Sequence, residues 1–100
     1  MKNDTDPIYY VVILQPVASR ELTSEVIAKH ARHLHSLDDA EKLVLAGPFT
    51  DHPTGMLVLR GKSKDEIKSI MEQDALIREG FRTFEIRTWL LANRTNQFTP

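Results

Sequence analysis

The sequence contains no cysteine. Disulfide frameworks, cysteine zinc sites and iron–sulfur centres are therefore excluded, and any metal ion would need histidine and carboxylate ligands. A charge excess of one sign is also missing, because 13 Lys and Arg side chains nearly balance 14 Asp and Glu side chains. A nucleic-acid-binding domain of this size would carry a strong basic field, so we expect no nucleic-acid partner.

Long hydrophobic runs and glycine-rich motifs are missing as well. The longest apolar run near the start, Ile8 to Leu14, is far too short for a membrane-spanning helix and follows acidic residues where a secretory signal has basic ones. We therefore expect no membrane partner and a cytoplasmic location. The glycine motifs of dinucleotide-binding, P-loop and serine-hydrolase proteins are absent, and the predicted chemistry needs no cofactor.

The chain length and its 41% of hydrophobic side chains predict one domain over residues 1–100, with an ordered core over about residues 8–91 and polar tails. Residues 1–7 are polar and end in a proline, which indicates a loose lead-in. Hydrophobic periodicity and turn signals predict the following elements: a two-sided strand over Ile8–Leu14, a helix over Thr23–Ala40, buried strands over Leu43–Ala46 and Met56–Leu59, a helix from the Ser63–Glu66 capping box onward, and a strand over Phe84–Leu90.

This order of elements, strand, helix, strand, strand, helix, strand, predicts an α+β fold of the ferredoxin-like type. In that fold a four-stranded antiparallel sheet carries both helices on one face. The first strand is apolar on both of its faces, yet the chain has helices enough for only one side of the sheet. A second copy packed sheet against sheet would cover the other side, so we expect a homodimer of the dimeric α+β barrel type.

His30 lies three or four residues from Val26, Ile27 and Leu34, in the middle of the apolar stripe of the first helix. Its imidazole is therefore expected to face the sheet. One interpretation is a core histidine that hydrogen-bonds a backbone carbonyl. The other is a catalytic base, which needs a partner to orient it.

Asp74 is a candidate for that partner, because its spacing from Ile67, Ile70 and Met71 continues the apolar stripe of the second helix. An inward carboxylate is costly unless hydrogen bonds or a cation compensate it. Asp74 is alternatively an N-cap that starts a new turn. Because both helices cover the same sheet face, the two side chains could meet, and the carboxylate would then fix the imidazole tautomer.

The remaining candidates carry weaker signals. His33 lies at the edge of the helix stripe and could share a metal with His30, but no established metal-binding spacing is present, so no metal site is predicted. Gly47 and Pro48 end the predicted second strand and could shape a pocket wall. The segment Asp51-His52 is best explained as ordinary turn chemistry next to a proline and a glycine.

Several of these segments resemble those of the YciI-like proteins, which are small dimeric domains of the ferredoxin-like, dimeric α+β barrel type. The similarity runs from Ile8 to Leu91. It is carried by Tyr9-Tyr10-Val11-Val12, by His30 with His33-Leu34, by Leu43-Val44-Leu45-Ala46-Gly47-Pro48-Phe49, by Asp74 with Gly80, and by Arg87-Thr88-Trp89. The interval between His30 and the Ala-Gly-Pro segment matches that of the family. The sequence departs from the family at Ala75 and Leu76, where a proline and an aromatic residue are common.

The resemblance implies a homodimer with a catalytic His–Asp dyad at His30 and Asp74, in a cleft walled partly by Gly47 and Pro48, and we add His33 as a substrate contact. One branch of the family resembles dehydrochlorinases of chlorinated hydroxyquinols, and the wider superfamily includes muconolactone isomerases. We therefore expect a small-molecule lyase or isomerase that works by acid–base chemistry. The alternative is a ligand-binding or regulatory dimer without catalytic activity.

Overall fold

The computed structural model describes residues 7–100, so all of the predicted lead-in except Pro7 lies outside the described residues. Four strands and three helices follow one another along the chain: β1 (Ile8–Pro16), α1 (Ser24–Asp39), β2 (Leu43–Pro48), β3 (Gly55–Leu59), α2 (Lys64–Glu72), α3 (Ala75–Arg78) and β4 (Arg82–Leu90). The strands form one antiparallel sheet in the order β2-β3-β1-β4. The predicted ferredoxin-like α+β fold is confirmed.

The hydrophobic core lies between the helices and one face of this sheet. Every second residue of β1 belongs to it, and so do alternate residues of β3 and β4, as expected when one face of a pleated sheet is covered. The members supplied by the strands are Tyr10, Val12, Leu14, Leu57, Leu59 and Ile86, and the helices supply Val26, Leu37, Ile67, Ile70, Met71 and Leu76. None of the helices in the described part of the chain is long and apolar enough to span a membrane.

The first helix lies within one residue of its predicted bounds, Thr23 and Ala40, at each end. Thr23 is its N-cap, with the side-chain oxygen accepting a hydrogen bond from the backbone N–H of Val26 at 3.1 Å, and Ala40 is its C-cap. Satisfying an otherwise unpaired donor in the first turn is the reason that threonine starts a helix at this point. The start of the helix fixes which residues face the sheet.

The predicted ends of three strands differ from the structure by two residues. Strand β1 continues to Pro16, two residues beyond the predicted Leu14. We expected β2 to be buried and to stop before Gly47, but both Gly47 and Pro48 pair with β3, and Leu45 is 67% exposed. The reason is that β2 is an edge strand, where a proline without an N–H group is tolerated. At the other edge, β4 begins at Arg82, two residues earlier than predicted.

The second helical segment is also divided where one helix was expected. Helix α2 ends at Glu72, and α3 starts after Asp74, whose backbone is extended (φ −73°, ψ 133°). Asp74 therefore does not continue the stripe of α2, as the spacing had predicted. It lies at the break between the two helices because its side chain caps α3.

The start of α2 has the predicted capping residues in a slightly different arrangement. Ser63 accepts a hydrogen bond from the N–H of Glu66 at 3.1 Å, while Glu66 accepts from the N–H of Lys62 rather than from the cap residue. That backbone bond and the ammonium group of Lys42 at 3.0 Å hold the pKa of the Glu66 carboxyl below its ordinary value of 4.5.

We expect Glu66→Gln to lower the free energy of unfolding at pH 7 by about 0.5–1.5 kcal/mol, because the amide keeps an acceptor oxygen but loses the negative charge that strengthens both bonds. Since the pKa is lower in the folded state, the carboxylate's contribution is complete above pH 4.5 and is lost as the pH falls through the folded-state pKa. Urea unfolding at pH 7 and pH 3 measures this. The difference from wild type should shrink at pH 3, and Asp65→Asn in the same helical turn should show a smaller effect; equal effects would contradict the assignment.

Candidate functional site

The imidazole of His30 and the carboxyl of Asp74 are in direct contact. Nδ1 of His30 lies 2.7 Å from Oδ2 of Asp74, which is a short distance for a nitrogen–oxygen hydrogen bond. His30 comes from the middle of α1, and Asp74 comes from the break between α2 and α3. Two segments that are 44 residues apart are thus joined at one point beneath the cavity described below.

Asp74 is fully buried, and each of its two oxygens has a hydrogen-bond partner. Oδ1 accepts from the backbone N–H of Leu76 at 2.9 Å, which is the N-cap bond of α3, and Oδ2 faces His30. Asp74 is therefore both the hydrogen-bond partner of His30 and the N-cap of α3, the two roles that the sequence left open. A buried carboxylate is costly unless it is satisfied in this way.

The contact with Asp74 defines the chemistry of the imidazole. An ionised carboxylate only accepts hydrogen bonds, so the proton of this bond belongs to Nδ1 of His30. In the neutral ring Nε2 is then the basic nitrogen, and within residues 7–100 it has no hydrogen-bond partner. The His30 side chain remains 20% exposed although its partner is completely buried. A ligand can therefore reach the histidine but not the carboxylate.

His30 forms part of the wall of a cavity of about 580 Å³. This volume falls within the roughly 300–1,000 Å³ of ordinary small-molecule sites. The cavity lies between α1, the end of β1, the β2–β3 hairpin and the start of β4. Its walls are mostly apolar, and its lining residues are Leu14, Leu22, Ile27, His30, Leu34, Ala46, Gly47, Pro48, Phe49, His52, Pro53, Thr54, Gly55, Met56, Leu57, Leu76 and Arg82.

Gly47 and Pro48 line this cavity, where the sequence suggested a pocket wall. Of the two glycines in the cavity wall, the one that has no room for a side chain is Gly55, which pairs with Pro48 in the hairpin. A Cβ atom on Gly55 would lie 2.5 Å from the carbonyl oxygen of Gly47, whereas one on Gly47 would meet nothing within 4 Å. Gly55 thus allows the two strands to approach at the cavity wall.

His33 lies elsewhere. Its Nε2 donates a hydrogen bond to the backbone carbonyl of Ile70 at 3.0 Å, and the residue does not line the cavity. This bond ties α1 to the last turns of α2, so we leave His33 out of the proposed ligand contacts. Within residues 7–100 there is no group of three histidine or carboxylate side chains that could hold a metal ion.

Two further ionisable residues line the cavity, although the sequence did not assign them to it. His52 lies in the predicted loop, but its ring lines the cavity, with Nδ1 2.9 Å from the hydroxyl of Thr54 and its ring edge-on to that of Phe49. Arg82 lines the cavity from the start of β4. Arg82 alternates with Phe84 and Ile86, and this spacing predicts that all three side chains lie on the same face of the strand. The pattern was not used because the strand was expected to start at Phe84.

Comparison with known families gives a match to the model of the YCII-related domain over residues 8–90. The chain belongs to this family. Among curated proteins, an uncharacterised protein of Bacillus subtilis (strain 168), YjpA, is 27% identical over 82 residues, which cover 82% of this chain and 96% of that protein. The resemblance expected from the sequence is therefore confirmed at the level of the family.

A solved structure shares the fold. It is that of 5-chloro-2-hydroxyhydroquinone dehydrochlorinase (TftG) from Burkholderia phenoliruptrix AC1100, in complex with 2,5-dihydroxybenzoquinone. The TM-score is 0.69 at 19% sequence identity, and the match covers 89% of this chain and 98% of the other. At this identity the comparison establishes similarity of architecture.

The double role of Asp74 can be separated by substitution. Asp74→Asn keeps an oxygen that can cap α3, whereas Asp74→Ala removes both the cap and the partner of His30. We expect the alanine variant to lose about 2–4 kcal/mol of unfolding free energy, from the lost cap and the stranded polar partners, and the asparagine variant to lose less. Chemical denaturation measures both values, and equal losses would show that the cap contributes nothing.

Proposed function

We propose that this protein is a small-molecule lyase or isomerase in which His30 is the general base and Asp74 orients it. The single observation that carries this proposal is the contact between Nδ1 of His30 and the buried carboxylate, which leaves Nε2 as the basic atom beside a ligand-sized cavity. A general base must reach the proton that it abstracts and must be held in the correct tautomer. The place of His30 in the cavity wall supports the first requirement, and its contact with Asp74 supports the second.

The proposed reaction begins when Nε2 of His30 takes a proton from an enolisable carbon or a phenolic oxygen of the substrate. The electron pair of the broken bond moves into the conjugated system of the ring. Asp74 stabilises the imidazolium that forms, as the carboxylate of a catalytic triad does. In an isomerisation the imidazolium returns the proton to another atom of the substrate, and in an elimination the electron pair expels the leaving group.

The fold relative supports the choice of substrate class. TftG is named as a dehydrochlorinase of a chlorinated hydroxyhydroquinone, and its structure holds a dihydroxybenzoquinone. Both compounds are small oxygenated rings, and the cavity of about 580 Å³ with mostly apolar walls suits a ligand of that kind. We therefore propose oxygenated six-membered rings as the substrate class. The cytoplasm is the proposed location.

We also propose that the protein is a homodimer that packs the uncovered faces of two sheets together. In the single chain Tyr9, Val11 and Ile13 point away from the helices and remain only half-buried. Register places Trp89 beside Tyr9 on the same face, and Leu45 lies there through its pairing with Val58. Glu85 and Arg87 lie on the same face opposite Ile13 and Val11 and pair with each other at 3.1 Å, so the face combines an apolar patch with one ion pair. Such a patch is typical of a subunit interface.

The catalytic proposal is tested with 2,5-dihydroxybenzoquinone in deuterated water, where acid–base catalysis exchanges the ring hydrogens, and with chloride release from 5-chloro-2-hydroxyhydroquinone. We expect His30→Ala to abolish both reactions and Asp74→Asn to slow them by about 10²–10⁴-fold. The control is His35→Ala on the exposed side of the same helix, which should keep the wild-type rate.

Two results would contradict the catalytic proposal. One is a wild-type rate in the His30→Ala variant. The other is wild-type protein that binds the quinone but catalyses neither reaction, which would favour the ligand-binding alternative.

The dimer is tested by analytical ultracentrifugation at micromolar concentration. We expect Leu45→Glu to shift the protein to monomer, because a buried unpaired carboxylate opposes association. Phe98→Glu is the matched control: both side chains are 67% exposed in the single chain, but Phe98 lies in the C-terminal segment. A wild-type monomer, or equal effects of both substitutions, would contradict the proposed interface.

A further inference from the structure

Arg82 carries the one permanent charge among the described residues that line the cavity. Its residue is only 9% exposed, and the lining contains no aspartate, glutamate or lysine. The two lining histidines can add positive charge but not negative charge. Asp74, the nearest carboxylate to His30, is screened from the cavity behind the imidazole.

The guanidinium group of Arg82 is held in place by three carbonyl oxygens. Nη1 donates to the backbone oxygen of Phe81 at 2.7 Å and to that of Arg20 at 3.4 Å, and Nη2 donates to that of Pro53 at 3.2 Å. In the described part of the chain no carboxylate lies within ion-pair distance of it. The carbonyl groups fix its orientation, but they leave its charge without a counterion.

Carbonyl contacts do not use the full hydrogen-bonding capacity of this group. A guanidinium has five N–H donors in a planar fork, and three of them are accounted for by these carbonyl oxygens. A buried positive charge without a carboxylate partner is costly in a folded protein. An oxyanion in the cavity would remove this cost and accept the remaining donors.

We propose that Arg82 selects for anionic ligands, so that the ligand is a ring compound with a carboxylate or an ionised enol oxygen. This inference rests on the proposed function for the premise that the cavity is the ligand site. Arg82 binds the oxyanion, and His30 meets another part of the same molecule. Arginine suits this role better than lysine, because its planar fork binds two oxygens of an anion together.

A purely structural role for Arg82 makes a different prediction. The residue joins the segment before α1, the β2–β3 loop and the start of β4 through its carbonyl contacts. If it served only to hold these segments, its loss would weaken folding and would affect charged and neutral ligands equally. The preference between two ligands of the same shape therefore separates the two roles.

The test compares benzoate with benzamide, which have nearly the same shape but differ in charge. Their dissociation constants are measured by NMR titration of the full-length protein. We expect the wild type to bind benzoate about 10- to 100-fold more tightly, the effect of a charge-assisted hydrogen bond. The Arg82→Gln variant should bind the two probes about equally. The control Arg94→Gln removes the same charge from an exposed position and should keep the preference for benzoate.

The Arg82→Lys variant provides a second measurement if Arg82→Gln does not fold. It retains the charge without the fork, and we expect a reduced preference for benzoate in a folded protein, which circular dichroism verifies. Equal binding of the two probes by the wild type, no binding of either probe, or a full benzoate preference in the folded Arg82 variants would overturn the proposal. Because neither probe reacts, the titration measures binding apart from catalysis, and failure of the catalytic proposal remains a separate result.

Discussion

The buried carboxylate of Asp74 is the constraint on which the rest of the site depends. Its side chain has no access to water, so it must be satisfied entirely by protein donors. One donor is the N–H of Leu76 at the start of α3, and the other is the imidazole of His30. The break between α2 and α3 and the orientation of His30 are therefore two consequences of burying one charged group.

The sheet and the β2–β3 hairpin supply the remaining walls of the cavity beside His30. The core face of β1 ends at Leu14 in the cavity wall, and the same face of β4 begins there with Arg82. The hairpin between β2 and β3 closes the opposite side, where Gly55 permits close approach of the strands. The result is a mostly apolar cavity with a basic nitrogen and a fixed cation in its wall, and no acidic side chain lines it.

Periodicity and turn signals were sufficient to predict the four strands, the first two helices and the ferredoxin-like topology. The apolar stripe of α1 and its Thr23 cap are local signals, and they placed His30 on the sheet side of the helix. Asp74 lies next to His30 as expected, but it does so as the N-cap of α3 and not as part of a continuous helix. Its spacing from Ile70 suggested a continuous helix, but the capping preference of aspartate divided that helix.

What sequence reasoning missed depends on pairing between distant segments. The exposure of Leu45 follows from the edge position of β2, which periodicity along one strand does not reveal. Arg82 and His52 enter the cavity because strand register and the hairpin bring them there. The position of the His33 ring likewise depends on the end of α2, because its Nε2 donates a hydrogen bond to the backbone carbonyl oxygen of Ile70.

The proposed chemistry requires Asp74 to hold the His30 imidazole with its proton on Nδ1 and so to leave Nε2 as the base. Long-range ¹H–¹⁵N correlation of the imidazole nitrogens, with His30 assigned by its substitution, tests this most directly. In the neutral ring we expect a protonated Nδ1 and an unprotonated Nε2 whose resonance shifts when 2,5-dihydroxybenzoquinone is added. A proton on Nε2 instead, or an Nε2 resonance that does not respond to bound quinone, would contradict it.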